Sequence, residues 1–154
     1  MNYAHVSVLL KEAVEALVPQ RGGIFVDCTA GGGGHSEEIL RHTPHGARLI
    51  SLDQDERAVL RCRQRLAAYG TASTVVKANF AAVGDVLDGL GIQKIDGILW
   101  DLGVSSVQLD EAERGFSYMM DAPLDMRMDR SSGKTAADIV NTYSEEELYR
   151  IIRD

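Results

Sequence analysis

Hydrophobic positions along the chain change period in an ordered way. Leu10, Val14 and Leu17 recur at helical spacing, with Ser7 placed as a cap before them and Pro19 as a stop after them. Gly22 and Gly23 then make a turn, and Ile24-Phe25-Val26-Asp27-Cys28 is a short apolar run suited to a strand covered on both faces. Four glycines follow. Residues 36–41 read as a helix, 48–52 as a second strand, and 55–69 as a long helix with Val59, Cys62 and Leu66 on one face and Gly70 at its end. A third strand is expected over 74–76, a helix over 80–90 presenting Val83, Leu87 and Leu90, and a fourth strand over 95–101.

Strands alternating with helices predict an α/β fold with a doubly wound, mostly parallel sheet. From Leu102 to about Thr135 no periodic element is evident. Phe116, Tyr118, Met119, Met120, Leu124, Met126 and Met128 nonetheless give that stretch too much apolar surface for a disordered linker, so a functional loop is expected. Within it, Leu124, Met126 and Met128 alternate as though pointing inward, which is the plain structural alternative for residues 123–129. Ser144-Glu145-Glu146-Glu147 is a capping-box pattern ahead of Leu148, Ile151 and Ile152.

Composition narrows the class. With 154 residues, 45% hydrophobic and 25% charged, the chain has the make-up of one globular domain. No stretch approaches the roughly 18 apolar residues of a membrane span, and no secretory pattern opens the chain, so a cytoplasmic location and no membrane partner are expected. Cys28 and Cys62 fall in a strand and a helix and read as reduced, packed thiols. The net charge of −7 disfavours a sequence-independent nucleic-acid coat, although Arg114, Arg127, Arg130 and Lys134 are candidates for a local basic patch around the long loop.

In an open parallel sheet, ligands bind beyond the carboxyl ends of the strands. After the first strand, Asp27-Cys28-Thr29-Ala30-Gly31-Gly32-Gly33-Gly34-His35-Ser36 lets backbone pass close to a ligand, although a glycine run by itself is equally a tight turn. Asp53 follows the second strand, 20 residues after Gly33, where a carboxylate accepts hydrogen bonds from ribose hydroxyls; its plain alternative is a helix cap, a task Asp55 already fits. Phe80, after the third strand, is placed to cover an adenine ring or simply to join the core. Asp101 leaves a buried strand at the ligand edge, which packing does not explain.

Two cofactor classes fit this arrangement. A nicotinamide dinucleotide wants G-x-G-x-x-G or G-x-G-x-x-A, and the third position here is Ser36 or Glu37. The acids Asp27 and Asp101 suit S-adenosylmethionine better, since that molecule has a cationic sulfonium and no pyrophosphate. No metal is expected: His42 and His45 flank Pro44 without a partner at ligand spacing. Ser105-Ser106 lacks the G-x-S-x-G setting of a hydrolase elbow.

Several segments resemble one known family. Gly31 to His35, Asp53-Gln54-Asp55, residues 96–110, residues 113–117 and Pro123-Leu124-Asp125-Met126-Arg127-Met128-Asp129 are similar to the bacterial small-subunit ribosomal RNA cytosine-N4 methyltransferases (RsmH or MraW). The similarity runs from about His5 to the end of the chain. It implies a class I, Rossmann-like fold and methyl transfer from S-adenosylmethionine to the exocyclic amine of a cytidine in the decoding region, with the small ribosomal subunit and its RNA as partner.

Carried over by position, the cofactor contacts fall on Gly33, Gly34, His35, Asp53, Phe80, Asp101 and Gln108. Of these, His35 and Gln108 come from the resemblance alone. For catalysis, Asp101 or Asp125 is expected to accept the hydrogen bond of the amine, and Phe116 or Tyr118 to replace the stacking ring that the Asp-Leu-Gly-Val sequence after the fourth strand lacks. Family members run to roughly twice this length, so a truncated form is expected, with residues 1–137 as the N-terminal part of the cofactor domain and 138–154 as the start of an inserted helical substrate domain. A non-catalytic cofactor-binding fragment and a nicotinamide-dependent oxidoreductase are the alternatives, and the oligomeric state stays open, a homodimer included.

Overall fold

A computed structural model describes residues 7–131 and 133–153; His5 and Asp154, where the family resemblance begins and ends, lie outside the described residues. The chain divides into two compact units, Met1–Gly103 and Val104–Asp154.

The first unit is built on four parallel strands, β1 (Ile24–Asp27), β2 (Arg48–Asp53), β3 (Ser73–Lys77) and β4 (Gly97–Leu99), in the order β3-β2-β1-β4. The chain starts in the middle of the sheet, winds outward to β3, then returns to the other side of β1. Alternation along the strands divides the core. Phe25 and Leu49, paired in register, pack with Val14, Ile39, Leu40, Cys62 and Leu66 from helices α1 (Leu10–Leu17), α2 (Gly34–His42) and α3 (Glu56–Leu66). Their neighbours Val26, Ile50 and Leu52 point the other way, toward Ile92 and toward Val83, Val86 and Leu87 of α4 (Val83–Gly89). Apolar positions on both faces explain why these strands read as continuous hydrophobic runs. Helices on both faces make the doubly wound expectation correct.

Several local expectations change. Ser7 does not cap α1: the helix starts after Leu9, which has φ 50°, and no side chain caps it. The third helix ends at Leu66 and tightens into a 3-10 turn, Ala67–Ala72, because Gly70 leaves helical geometry at φ 54°, ψ −126°. The helix expected over 80–90 is a 3-10 turn at Phe80–Ala82 followed by α4, with Asn79 accepting the Ala81 N–H. The fourth strand shortens to three residues. Asp96 precedes it and uses its side chain, accepting the Ile24 N–H at 2.7 Å. Gly97 is needed where it stands, since a Cβ there would come within 2.9 Å of both Leu17 and Phe25.

The second unit contains α5 (Ser106–Asp110), a 3-10 turn at Ala112–Arg114, α6 (Ala136–Thr142) and α7 (Glu145–Arg153). The capping box expected at the start of α7 is present: Ser144 Oγ and N–H both reach Glu147 Oε2 at 2.8 Å. Two further boxes escaped the periodicity argument, Ser105 with Gln108 and Thr135 with Asp138. Among the described residues no helix is long and apolar enough to cross a membrane.

Candidate functional site

Beyond the carboxyl ends of the strands in the first unit, side chains and backbone stitch successive loops together. Asp27 ends β1 fully buried. Its Oδ1 accepts the Thr29 N–H at 3.1 Å and its Oδ2 accepts the Ser36 hydroxyl at 2.7 Å. Having given its single proton to Asp27, Ser36 accepts from Ser51 at 2.8 Å. Burial pushes the Asp27 carboxyl above its ordinary value, against the lowering effect of the Ser36 and Thr29 bonds. The Cys28 and Cys62 thiols are free and buried, and burial raises them to about 11 and about 12, so both stay protonated as packed thiols.

The glycine loop closes over this buried network. Gly31 has φ 51° and gives its N–H to Asp53 Oδ2 at 2.8 Å, while the Asp55 N–H binds Asp53 Oδ1 at 2.8 Å. Asp53 is therefore a loop organiser rather than the helix cap, which is Asp55, accepting from Arg57 N–H. Burial also raises the Asp53 carboxyl, with backbone N–H bonds from Asp55, Gly31 and Gln54 opposing. Gly33, at φ 80°, is the residue before α2, and a Cβ there would lie 3.3 Å from Cys62 Sγ, so the loop can sit this close to α3 only as glycine. At Gly34, the first residue of α2, a Cβ would collide with the Ser7 hydroxyl. Arg65 braces the loop from α3, donating to the Gly32 carbonyl at 3.3 Å and to Glu37 at 2.7 Å.

His35 is buried in the first turn of α2. Its Nε2 lies 3.2 Å from the Val8 carbonyl and its Nδ1 lies 3.8 Å from Asp101 Oδ2. The Asp101 carboxylate is half exposed, and its N–H donates to Thr29 Oγ1 at 2.7 Å. On the β3 side, Asn79 donates to Gln54 Oε1 at 2.8 Å, beside Phe80, which is 40% exposed and so is not the core residue of the plain reading. Of the residues singled out in the sequence, Gly33, Gly34, His35, Asp53 and Asp101 thus gather where β4 and β2 flank β1, with Phe80 at the end of β3. Reading the sequence missed Thr29, Ser36 and Ser51. Ser51 carried a signal, a hydroxyl inside an apolar strand, two positions from Leu49 and facing the same side as Asp27.

Gln108 and Asp125 belong to the second unit. Gln108 is buried, and its Oε1 accepts the Ser105 N–H at 3.0 Å while its own N–H reaches Ser105 Oγ at 3.3 Å. Asp125 is buried against two arginines. Arg127 donates from Nε to Oδ1 at 2.7 Å and from Nη2 to Oδ2 at 3.1 Å, and Arg130 Nε lies 3.3 Å from Oδ2. The hydrogen bond from Arg127 is the main reason that its carboxyl is held down to about 2.

The expected basic patch around this loop is not a free surface. Arg114 is 2% exposed and donates to the carbonyls of Arg127 and Met128 at 3.2 and 3.1 Å, Arg127 and Arg130 serve Asp125, and Lys134 sits 4.7 Å from the Tyr143 ring centroid. Leu124 and Met126 are each 45% exposed, against the inward alternation, because the Met126 N–H is drawn to the Arg114 carbonyl with Met126 at φ 59°. Phe116 lies beneath Arg114, 5.9 Å from guanidinium carbon to ring centroid, whereas Tyr118 is almost wholly exposed. Among the described residues no group of three or more His, Cys, Asp and Glu side chains is arranged to hold a metal ion.

The chain has relatives among known proteins. A family model described as the MraW methylase family matches residues 2–154. A ribosomal RNA small subunit methyltransferase H of Symbiobacterium thermophilum is 54% identical over the whole chain, which covers 48% of that protein. Another from Clostridium botulinum strain Loch Maree is 51% identical, again over the whole chain and 50% of the relative. The chain thus spans about half the length of the curated relatives it matches. A solved structure of the O-methyltransferase TomG from Streptomyces achromogenes, in complex with SAM, superposes with a TM-score of 0.51 at 20% identity, over 64% of this chain and 45% of that one. At that identity the likeness speaks for the fold.

Proposed function

The chain belongs to the MraW methylase family, and we propose that within the full-length protein it forms the cofactor-binding part of an S-adenosylmethionine-dependent methyltransferase acting on the exocyclic N4 amine of a cytidine in small-subunit ribosomal RNA. The observation that carries this reading is the Gly31-to-Asp53 hydrogen bond, which joins the loop after β1 to the carboxyl end of the neighbouring β2. It fixes a glycine loop without side chains against a carboxylate already oriented by backbone, at the carboxyl ends of the strands, with Gly33 letting the loop lie close against Cys62 of α3.

The residues present fit the cofactor. Asp53 would take the ribose hydroxyls, Phe80 would cover the adenine, Gly33 and Gly34 would let the backbone approach, and Asp101 and His35 would face the amino-acid and sulfonium end. Gln108 is assigned a cofactor contact by the family pattern. The cofactor supplies an electrophilic methyl group on a cationic sulfur.

The amine of cytosine is a poor nucleophile because its lone pair is conjugated with the ring, so the protein must align it and accept a proton. Between the two candidate acceptors we favour Asp101. Its carboxylate is half exposed at the switch point, whereas both oxygens of Asp125 are engaged by arginine and its pKa of about 2 makes it a weak base. Asp125 then serves to hold the 123–129 segment, and of the two candidate stacking rings Tyr118 is the exposed one while Phe116 lies under Arg114.

We read residues 1–137 as belonging to the cofactor domain and 138–154 as the start of a helical insertion. Tyr149, Ile151 and Ile152, each more than half exposed on α7, support reading that helix as part of a separate element. A cytoplasmic site of action, on the small ribosomal subunit, follows from the proposed substrate. The test is transfer of labelled methyl to small-subunit RNA by the full-length protein, with N4-methylcytidine identified after digestion; Asp101→Asn should lower kcat by roughly 10²-fold or more. Label on another base, or on no RNA at all, would refute the reading.

A further inference from the structure

The geometry points to Thr29 as a positioning residue for methyl transfer, acting on Asp101 through its backbone; this rests on the reading of Asp101 as the acceptor given above. Strands β1 and β4 run together as far as Asp27 and Leu99, with a last ladder bond from the Cys28 N–H to the Leu99 carbonyl at 2.9 Å. Beyond it the two chains part at the switch point. There the Thr29 hydroxyl accepts the Asp101 N–H at 2.7 Å.

The Asp101 loop has little else to locate it by packing. Trp100 is 49% exposed and Leu102 67% exposed, so neither neighbour anchors the backbone in the core, and the Asp101 carboxylate lies 3.8 Å from the nearest His35 nitrogen. Thr29, in contrast, is referenced to the interior. Its N–H is held by Asp27, fully buried and fixed on its other oxygen by Ser36. The connection therefore runs from a buried carboxylate to the Thr29 backbone, and from the Thr29 hydroxyl to the backbone that carries the acceptor. A threonine suits the task, since its branched side chain is stiff at χ1 and keeps the hydroxyl aimed. A displacement of about 1 Å at a reacting group costs up to roughly 10²-fold in rate, the scale on which this bond acts.

The test uses the full-length protein. Thr29→Val keeps the shape of the side chain and removes the acceptor; Thr29→Ser keeps the hydroxyl. Thr29→Val should lower kcat about 10- to 100-fold with KM for the cofactor changed less than about threefold, and Thr29→Ser should stay within about threefold of wild type. In a cycle with Asp101→Asn, adding Thr29→Val should cost nothing further. Hydrogen exchange gives a readout independent of turnover: the Asp101 amide should lose protection in Thr29→Val and keep it in Thr29→Ser.

Additive losses in the cycle, or an Asp101 amide equally protected in Thr29→Val, would overturn the inference while leaving Asp101 as acceptor. Wild-type turnover in Asp101→Asn would overturn the acceptor reading, and this inference with it. Should Thr29→Val fail to fold, the serine variant decides: loss of turnover or of amide protection in it counts against the hydroxyl.

Discussion

Arg127 closes on Asp125 with two parallel hydrogen bonds, Nε to Oδ1 at 2.7 Å and Nη2 to Oδ2 at 3.1 Å, although only one residue separates them in the chain. The pair sits where the 123–129 segment turns. The Asp125 backbone carbonyl accepts the Ala136 N–H and the Leu124 carbonyl accepts the Ala137 N–H, so the backbone of this segment is tied to the first turn of α6 while the carboxylate holds the arginines.

A pH dependence follows from that pair. Asp125 is held at about 2, below its ordinary 3.8, first by the hydrogen bond from Arg127. A depressed carboxyl contributes stability that is complete above the unfolded value and lost as pH falls through the folded one. Asp125→Asn should therefore melt below wild type near neutral pH, with a difference that narrows from about pH 4 and closes near pH 2. Thermal melts of the full-length protein across that range check it; a difference independent of pH would contradict the assignment.

Gly33 is predicted to be intolerant of any side chain. Its φ of 80° and the 3.3 Å approach that a Cβ would make to Cys62 Sγ put strain and overpacking at the same position. Gly33→Ala should cost about 1–3 kcal/mol in denaturant unfolding and weaken S-adenosylhomocysteine binding. Gly32, whose added Cβ would meet nothing within 4 Å, is the control, and an equal response at both positions would argue against this packing.

Ser36→Ala removes the hydroxyl shared by the buried Asp27 and Ser51. Leaving a buried carboxylate with one fewer donor should cost about 1–3 kcal/mol, and the loss should grow as pH rises because the charged form is the one that needs the bond. Chemical denaturation at several pH values reads this directly.

Much of the first unit was legible in the sequence because its signal is periodic. Val59, Cys62 and Leu66 are all at most 2% exposed, and the four strands lie where apolar runs put them. The acids were legible for a related reason: a charge that ends a buried strand stands out against its surroundings. The second unit was harder. A five-residue helix such as α5 is too short to show a period, and its only trace was the Ser105–Gln108 capping box. Arg114 read as surface charge, since arginine is seldom fully buried, and only the carbonyls of residues 127 and 128, distant in sequence, explain its place. Thr29 was invisible for the same reason, its partner lying 72 positions away.

In the proposed function the carboxyl end of β2 holds the ribose of S-adenosylmethionine through Asp53. Isothermal titration of the full-length protein with S-adenosylhomocysteine, for wild type and Asp53→Ala, tests it most directly. Wild type should show a defined site and a folded Asp53→Ala variant an affinity at least about tenfold weaker, the scale of lost hydrogen bonds to a charged group. Equal affinities in two folded proteins would contradict it.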